Sequence, residues 1–223
     1  MVDYKKTIKK IFVCDHLPDY FIEWGGDQEW KDRVDHTPSE AQDALAALAA
    51  NWKYARNTAT LPWLAMHLAG NSVAEFTNKD SDWTERLWSD CVTQDEFRLT
   101  LAGSQALAYT GFYFGYENFL TESCVAKIPN STTSDFKNCN LIKKGLKKAF
   151  NSSIEKTVWS DNKIIVAREA RNSLVHNGGK ASGKLKNMGA QLVEDGHVCV
   201  HPILLKELFQ TLKEKVDLIL NNW

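Results

Sequence analysis

The sequence predicts an all-α fold, an antiparallel helical bundle with one small β-hairpin before the last helix. Helix-opening signals recur along the chain at Thr37-Pro38, Asp82, Thr93 and Pro202. Apolar residues follow several of them at spacings of three and four. A period-two pattern flanks Asp195-Gly196 in "QLVEDGHVCV", a strong hairpin signal.

Residues 1–37 are polar and acidic and read as an N-terminal extension, with "EWGGDQEW" as a turn and "KDRVDH" as its charged exit. Residues 38–223 read as the bundle domain. Thr37 is placed as N-cap, Pro38 as the first helical residue and Glu40 as the return partner of a capping box. Ala41, Leu45, Leu48, Trp52 and Ala55 then form one apolar stripe. Pro62 is expected to open a short second helix that stops near Gly70 and Asn71.

Two capping-box patterns, Asp82 with Glu85 and Thr93 with Glu96, divide Trp83 to Lys127 into two helices. The second presents Phe97, Leu101, Leu107, Gly111, Phe112, Gly115, Phe119 and Leu120 to a bundle centre, its glycines admitting a neighbouring helix. Ile128-Pro129 ends it, and "PNSTTSDFKNCN" is a polar loop. "LIKKGLKKAF" is a short basic helix. The next helix begins at Ser160 or Asp161, turns Ile164, Ile165, Ala167, Leu174 and Val175 inward, and stops at Gly178-Gly179. After the hairpin, Pro202 opens a last helix with Leu205, Leu208, Leu212, Val216 and Ile219 on one stripe.

A chain of 223 residues, 43% hydrophobic and 25% charged, has the composition of a folded protein with its own core. It carries no apolar run of the roughly 18 residues that span a bilayer and no secretory leader, so a cytoplasmic protein without a membrane partner is expected. Cys14, Cys91, Cys124, Cys139 and Cys199 are odd in number and scattered, a pattern unlike a disulfide framework or a thiolate zinc site.

The net charge of −1 conceals segregation: Phe136 to Ala190 holds twelve lysines and arginines against three carboxylates. Such a segment is either a local polyanion site or a solvated helix face. Lys143, Lys144, Lys147 and Lys148 lie on two neighbouring faces of the basic helix.

Within it, "AREARNSLVHNGGK" places Arg171, Asn172 and His176 at a helix end. A guanidinium holds a phosphate by two charge-assisted hydrogen bonds, and an imidazole exchanges protons near neutrality. The pair suits metal-free scission of RNA, whose 2′-hydroxyl is the nucleophile. At a spacing of five the two side chains point about 140° apart on a straight helix. They converge only if the helix loosens before His176, or if two copies face each other. The alternative reading is that both cations simply favour the helix C-terminal dipole.

The run "RNSLVHN" resembles the R-x4-6-H signature of the HEPN superfamily, with Asn172 in the place of the polar residue that commonly follows the arginine. The resemblance implies a small helical bundle, a homodimer and a metal-independent ribonuclease without a cofactor, of the kind found in toxin–antitoxin, abortive-infection and CRISPR-associated defence. RNA and a cognate antitoxin or regulatory protein are the partners it implies. "FGYENFLTE" is similar to an acidic-aromatic segment of such bundles, which makes Glu117 a candidate for orienting Arg171 or His176. Arg168, Lys180, Lys184 and Lys186 are candidate RNA contacts, the lysines on a Gly/Ser/Lys loop. The rival function is a non-catalytic HEPN-like module that binds RNA, a nucleotide or a partner protein.

Other constellations carry less. His197, Cys199 and His201 alternate along a strand and form a weak candidate metal set. "NGGKASGK" lacks the spacing and the preceding strand of a phosphate-binding loop. No G-x-S-x-G pattern supports a serine nucleophile.

Overall fold

The computed structural model describes Ile22 and residues 26–76 and 94–223, with backbone alone for 63–76 and 94–99. In chain order these are α1 (Gly26–Asp35), α2 (Ser39–Phe76), α3 (Gln94–Lys127), a 3-10 turn (Thr133–Phe136), α4 (Cys139–Ala149), α5 (Ser152–Val158) and α6 (Asn162–His176). There follow α7 (Gly183–Met188), a second 3-10 turn (Ala190–Leu192), β1 (Val193–Glu194), β2 (His197–Val198) and α8 (Pro202–Leu220). The fold is therefore helical with one two-stranded antiparallel hairpin before the last helix. Asp195 (φ 48°) and Gly196 (φ 80°) take the left-handed conformations that so tight a turn requires.

The α2–α3 pair is the spine. Trp52 Nε1 donates to the Phe112 carbonyl (2.9 Å) and Gln105 Nε2 to the Ala59 carbonyl (3.1 Å), so later residues of α2 meet earlier ones of α3 and the helices are antiparallel. Gly111 and Gly115 make the approach possible. A methyl group on Gly111 would stand 3.1 Å from Ala55 Cβ, and one on Gly115 would stand 3.1 Å from the Trp52 ring. The stripe from Ala41 to Ala55 is buried as its spacing predicts, and so is that from Leu205 to Ile219 on α8. Leu107, expected inside, is exposed.

Several boundaries differ from expectation. The Thr37 hydroxyl donates to the Arg33 carbonyl of α1 (2.7 Å), so it serves the end of α1, and α2 opens two residues later at Ser39. Pro62 opens no new helix but lies inside α2. A proline in a helix interior costs about 3 kcal/mol, a sum that the buried face of Trp52, Ala55 and Ala59 readily offsets. The expected break at Gly70 and Asn71 is absent, since the backbone stays helical to Phe76. The helix expected near Trp83 lies outside the described residues.

Residues 26–35, read as a turn and charged exit, form α1. Its one buried side chain, Trp30, meets Trp52 edge-on with ring centroids 5.9 Å apart, while Trp52 and Phe112 both contact Phe209 of α8. Charged links complete the docking: Arg33 pairs with Asp217, Lys213 with Glu29 (3.3 Å) and Lys53 with Asp27 (2.6 Å). The polar loop contains a 3-10 turn whose Phe136 packs over Gly145 of α4. The short helices α5 and α7 start at caps, Asn151 accepting from Ser153 and Ile154 N–H, and Ser182 accepting from Leu185 N–H. No helix among the described residues is long and apolar enough to cross a membrane.

Candidate functional site

Helix α6 is built to present its polar face. The Asp161 side chain caps it by accepting from Lys163 N–H (2.9 Å), and Ile164, Ala167, Ala170 and Ser173 fill its buried side. Val175, expected inside, is exposed. Arg168 and Arg171, three residues apart, share a face. The Arg171 guanidinium pairs with the Glu117 carboxylate of α3, donates from Nη1 to Asn172 Oδ1 (3.0 Å) and lies 5.5 Å from the Tyr113 ring centroid. Arg168 stacks at 4.7 Å over Trp159.

These contacts leave Arg171 Nε buried and without a hydrogen-bond partner among the described residues, while the Tyr113 hydroxyl oxygen faces the Arg168 guanidinium as an acceptor. Burial pushes the Tyr113 phenol well above its usual range; Glu117 adds to the shift, and Arg168 and Arg171 oppose it. The phenol therefore stays neutral between two guanidinium groups.

Both arginines and Asn172 form one wall of a cleft of about 700 Å³. Glu117, Asn118 and Glu122 of α3 form a second wall, Ala44, Leu48 and Asn51 of α2 a third, and Lys137 and Asn138 at the start of α4 close it. Three cations face two carboxylates there, so the cleft carries a small positive excess. Asn138 caps α4, its Oδ1 accepting from Asn140 and Leu141 N–H (both 3.1 Å), which leaves its amide N–H₂ available.

The structure thus brings Arg171, Asn172, Glu117 and Arg168 together but leaves His176 apart. The helix does not loosen before His176. It stays regular through that residue because the Ser173 carbonyl accepts from both Asn177 N–H (3.2 Å) and Gly179 N–H (2.9 Å), closing the last turn. Gly178 (φ 57°) and Gly179 (φ 80°) reverse the chain only afterwards. His176 is exposed, about 140° around the helix from Arg171, and takes no part in the cleft wall.

Part of the basic segment is engaged with its own carboxylates. Lys184 donates to Glu169 (2.8 Å), and Lys143 and Lys147 each stand 3.8 Å from Glu155, whose buried carboxylate also accepts from the Ser160 hydroxyl. Lys184 and Lys186 lie on α7 instead of a loop; Lys186 and Lys180 are exposed, and the Lys180 backbone bridges to His197.

The metal reading of the hairpin gains nothing. The His201 ring caps α8, accepting from Ile203 N–H (3.3 Å). The Cys199 thiol is pushed up to about 11 by burial, Glu194 and Asp195, which disfavours the thiolate that a metal needs. No cluster able to hold a metal occurs among the described residues.

Sequence reasoning missed Trp159, Tyr113, Lys137 and Asn118. Asn138 before an amphipathic run was a readable cap signal, whereas nothing local marks Lys137 or Asn118. Comparison with protein-family models, curated proteins and solved structures gives no match, so the likeness to HEPN domains stands on the residues of α6 and α3 alone.

Proposed function

We propose that this protein is a metal-independent endoribonuclease of the HEPN kind, working as a homodimer, with a toxin or antiphage role as the setting that the resemblance suggests. The observation that carries the reading is Arg171, restrained by Glu117 and Asn172 in the wall of a cleft that holds a second arginine. In this scheme His176 removes the 2′-hydroxyl proton and the 2′-oxygen attacks phosphorus. The bond to the 5′-oxygen breaks, a cyclic phosphate forms and a solvent proton completes the 5′-hydroxyl. Arg171 offsets the charge growing on the phosphate. Because the two side chains diverge on one regular helix, the scheme takes Arg171 from one copy and His176 from a second.

The test is labelled RNA incubated in EDTA. Cleavage with cyclic-phosphate ends, lost in Arg171→Ala and in His176→Ala, supports the enzyme. Mixing the two inactive variants restores part of the activity if the groups act across copies. His176→Ala leaves stability within about 0.5 kcal/mol, as befits an exposed side chain. The position of His176 off the cleft favours a second reading, a module that binds RNA without cutting it; retained binding with intact RNA in EDTA would select it.

A further inference from the structure

Four exposed large apolar side chains lie on α2 and α3: Tyr54 (74% exposed), Leu61 (57%), Leu107 (66%) and Phe114 (53%). Trp52 and Phe112 face Phe209 of α8, which fixes the inner side of the helix pair. Tyr54 and Phe114 each follow one of those residues by two positions, about 200° around the helix, and Leu61 and Leu107 lie two turns from them on the same side. All four therefore share the outer face. The Trp52–Phe112 and Gln105–Ala59 bonds set the register, so the order along that face is Phe114, Tyr54, Leu107, Leu61. The face also lacks charge. No charged residue occurs from Thr100 to Tyr116 of α3, and from Ala44 to Pro62 of α2 there are only Lys53 and Arg56. Lys53 pairs with Asp27 of α1, and Arg56 Nε donates to the Ile22 carbonyl (3.2 Å), both turned from this face.

We infer that this outer face of α2 and α3 is where a second copy of the chain docks, two helices against two across a twofold axis. Charge selects the occupant. A twofold contact sets a face against itself, and a face without charge brings no like charges together. An acidic or basic partner finds no counter-charge here, and an anionic lipid surface finds none of the lysines and arginines that would hold it. The area is sufficient. The uncharged stretch of α3 runs about 25 Å, and two helices side by side are about 20 Å wide. About 500 Å² per copy, about 1,000 Å² in total, reaches the lower bound of a specific interface, so the dimer is a reversible one. The inference stands on this face alone and goes beyond the ribonuclease reading. It places the second copy beside the cleft, because Ala47 and Asn51 of the same α2 side line it.

The experiment is sedimentation velocity of the full chain across micromolar concentrations. Monomer should give way to dimer as concentration rises. Leu107→Glu and Phe114→Glu, which bring carboxylates into the contact from both copies, should each weaken association at least tenfold. Ile203→Glu, at an exposed apolar residue of α8, should leave it unchanged. Circular dichroism and thermal melts separate lost association from lost fold, and Tyr54→Ala, at the most exposed of the four, serves where a glutamate disturbs α3. A chain that stays monomeric throughout, or a dimer indifferent to all three variants, overturns the inference. So does a monomer whose binding to phosphatidylcholine vesicles is lost in Leu107→Glu, since the face would then meet lipid. RNA cleavage by a dimer indifferent to the variants upholds the nuclease and removes this interface. A dimer sensitive to them that cleaves nothing does the reverse.

Discussion

Replacing Glu117 by Gln tests whether Arg171 is held or merely near its partner. Both side chains are 19% exposed, between two limiting cases. Exposed ion pairs contribute about 0–1 kcal/mol, and removing one partner of a buried pair costs about 3–5 kcal/mol. The Arg171 guanidinium has a second tie to Asn172 and lies over the Tyr113 ring, so it stays in place and loses the one carboxylate contact it has among the described residues. We expect Glu117→Gln to cost about 2 kcal/mol. In a double-mutant cycle with Arg171→Gln, urea denaturation should give a coupling energy of about 1–2 kcal/mol. The single Arg171→Gln change also removes the cation over Tyr113, a contribution the cycle cancels. A coupling below about 0.3 kcal/mol would mean that solvent already screens the pair, and the argument that Glu117 positions the arginine would fail.

Trp30→Ala should cost about 3–5 kcal/mol and speed tryptic cleavage at Lys31 and Arg33, because Trp30 is the one buried side chain of α1; unchanged proteolysis would show that the ion pairs alone dock the helix. Gly115→Ala places a methyl 3.1 Å from the fully buried Trp52 ring, and overpacking of about 1–3 kcal/mol exceeds the helix gain of about 0.5–1 kcal/mol; Gly103→Ala, with nothing within 4 Å among the described residues, should instead stabilise, and thermal melts of the two variants should shift in opposite directions. Burial raises the phenol pKa of Tyr109, Tyr113 and Tyr116. The stability tied to their neutral form is therefore complete below about pH 10 and lost as pH climbs toward the folded values. In the folded protein these three rings should contribute no tyrosinate absorbance near pH 11, and it should rise sharply on denaturation; full ionisation before unfolding would contradict the burial.

What the sequence made legible depended on how many residues shared one signal. The stripes of α2 and α8 repeat over several turns, and each added apolar residue reinforces the same phase. Helices α5 and α7, of seven and six residues, are too short to display a stripe, and the sequence reading passed over their caps, Asn151 and Ser182. Helix α1 was hidden because Trp30 and Val34 are its only large apolar residues, too few to form a stripe, and its partners Lys213 and Asp217 lie 184 residues away. At the site, the Arg171–Asn172 bond joins adjacent residues, while the Glu117 partner came from resemblance and no local pattern predicts a contact across 54 positions.

The separation of Arg171 from His176 was already contained in their spacing. A helix closed to its last residue keeps a five-residue interval at about 140°, and a pair of glycines relieves that angle only if it precedes the histidine. Here Gly178 and Gly179 follow it, and the Ser173 carbonyl seals the turn between. Helical phase therefore weighs more than motif likeness at this site. The face that carries Arg171 also carries Arg168 and opens on the cleft while His176 faces elsewhere, so the proposed scheme requires a second copy to bring an arginine to the histidine.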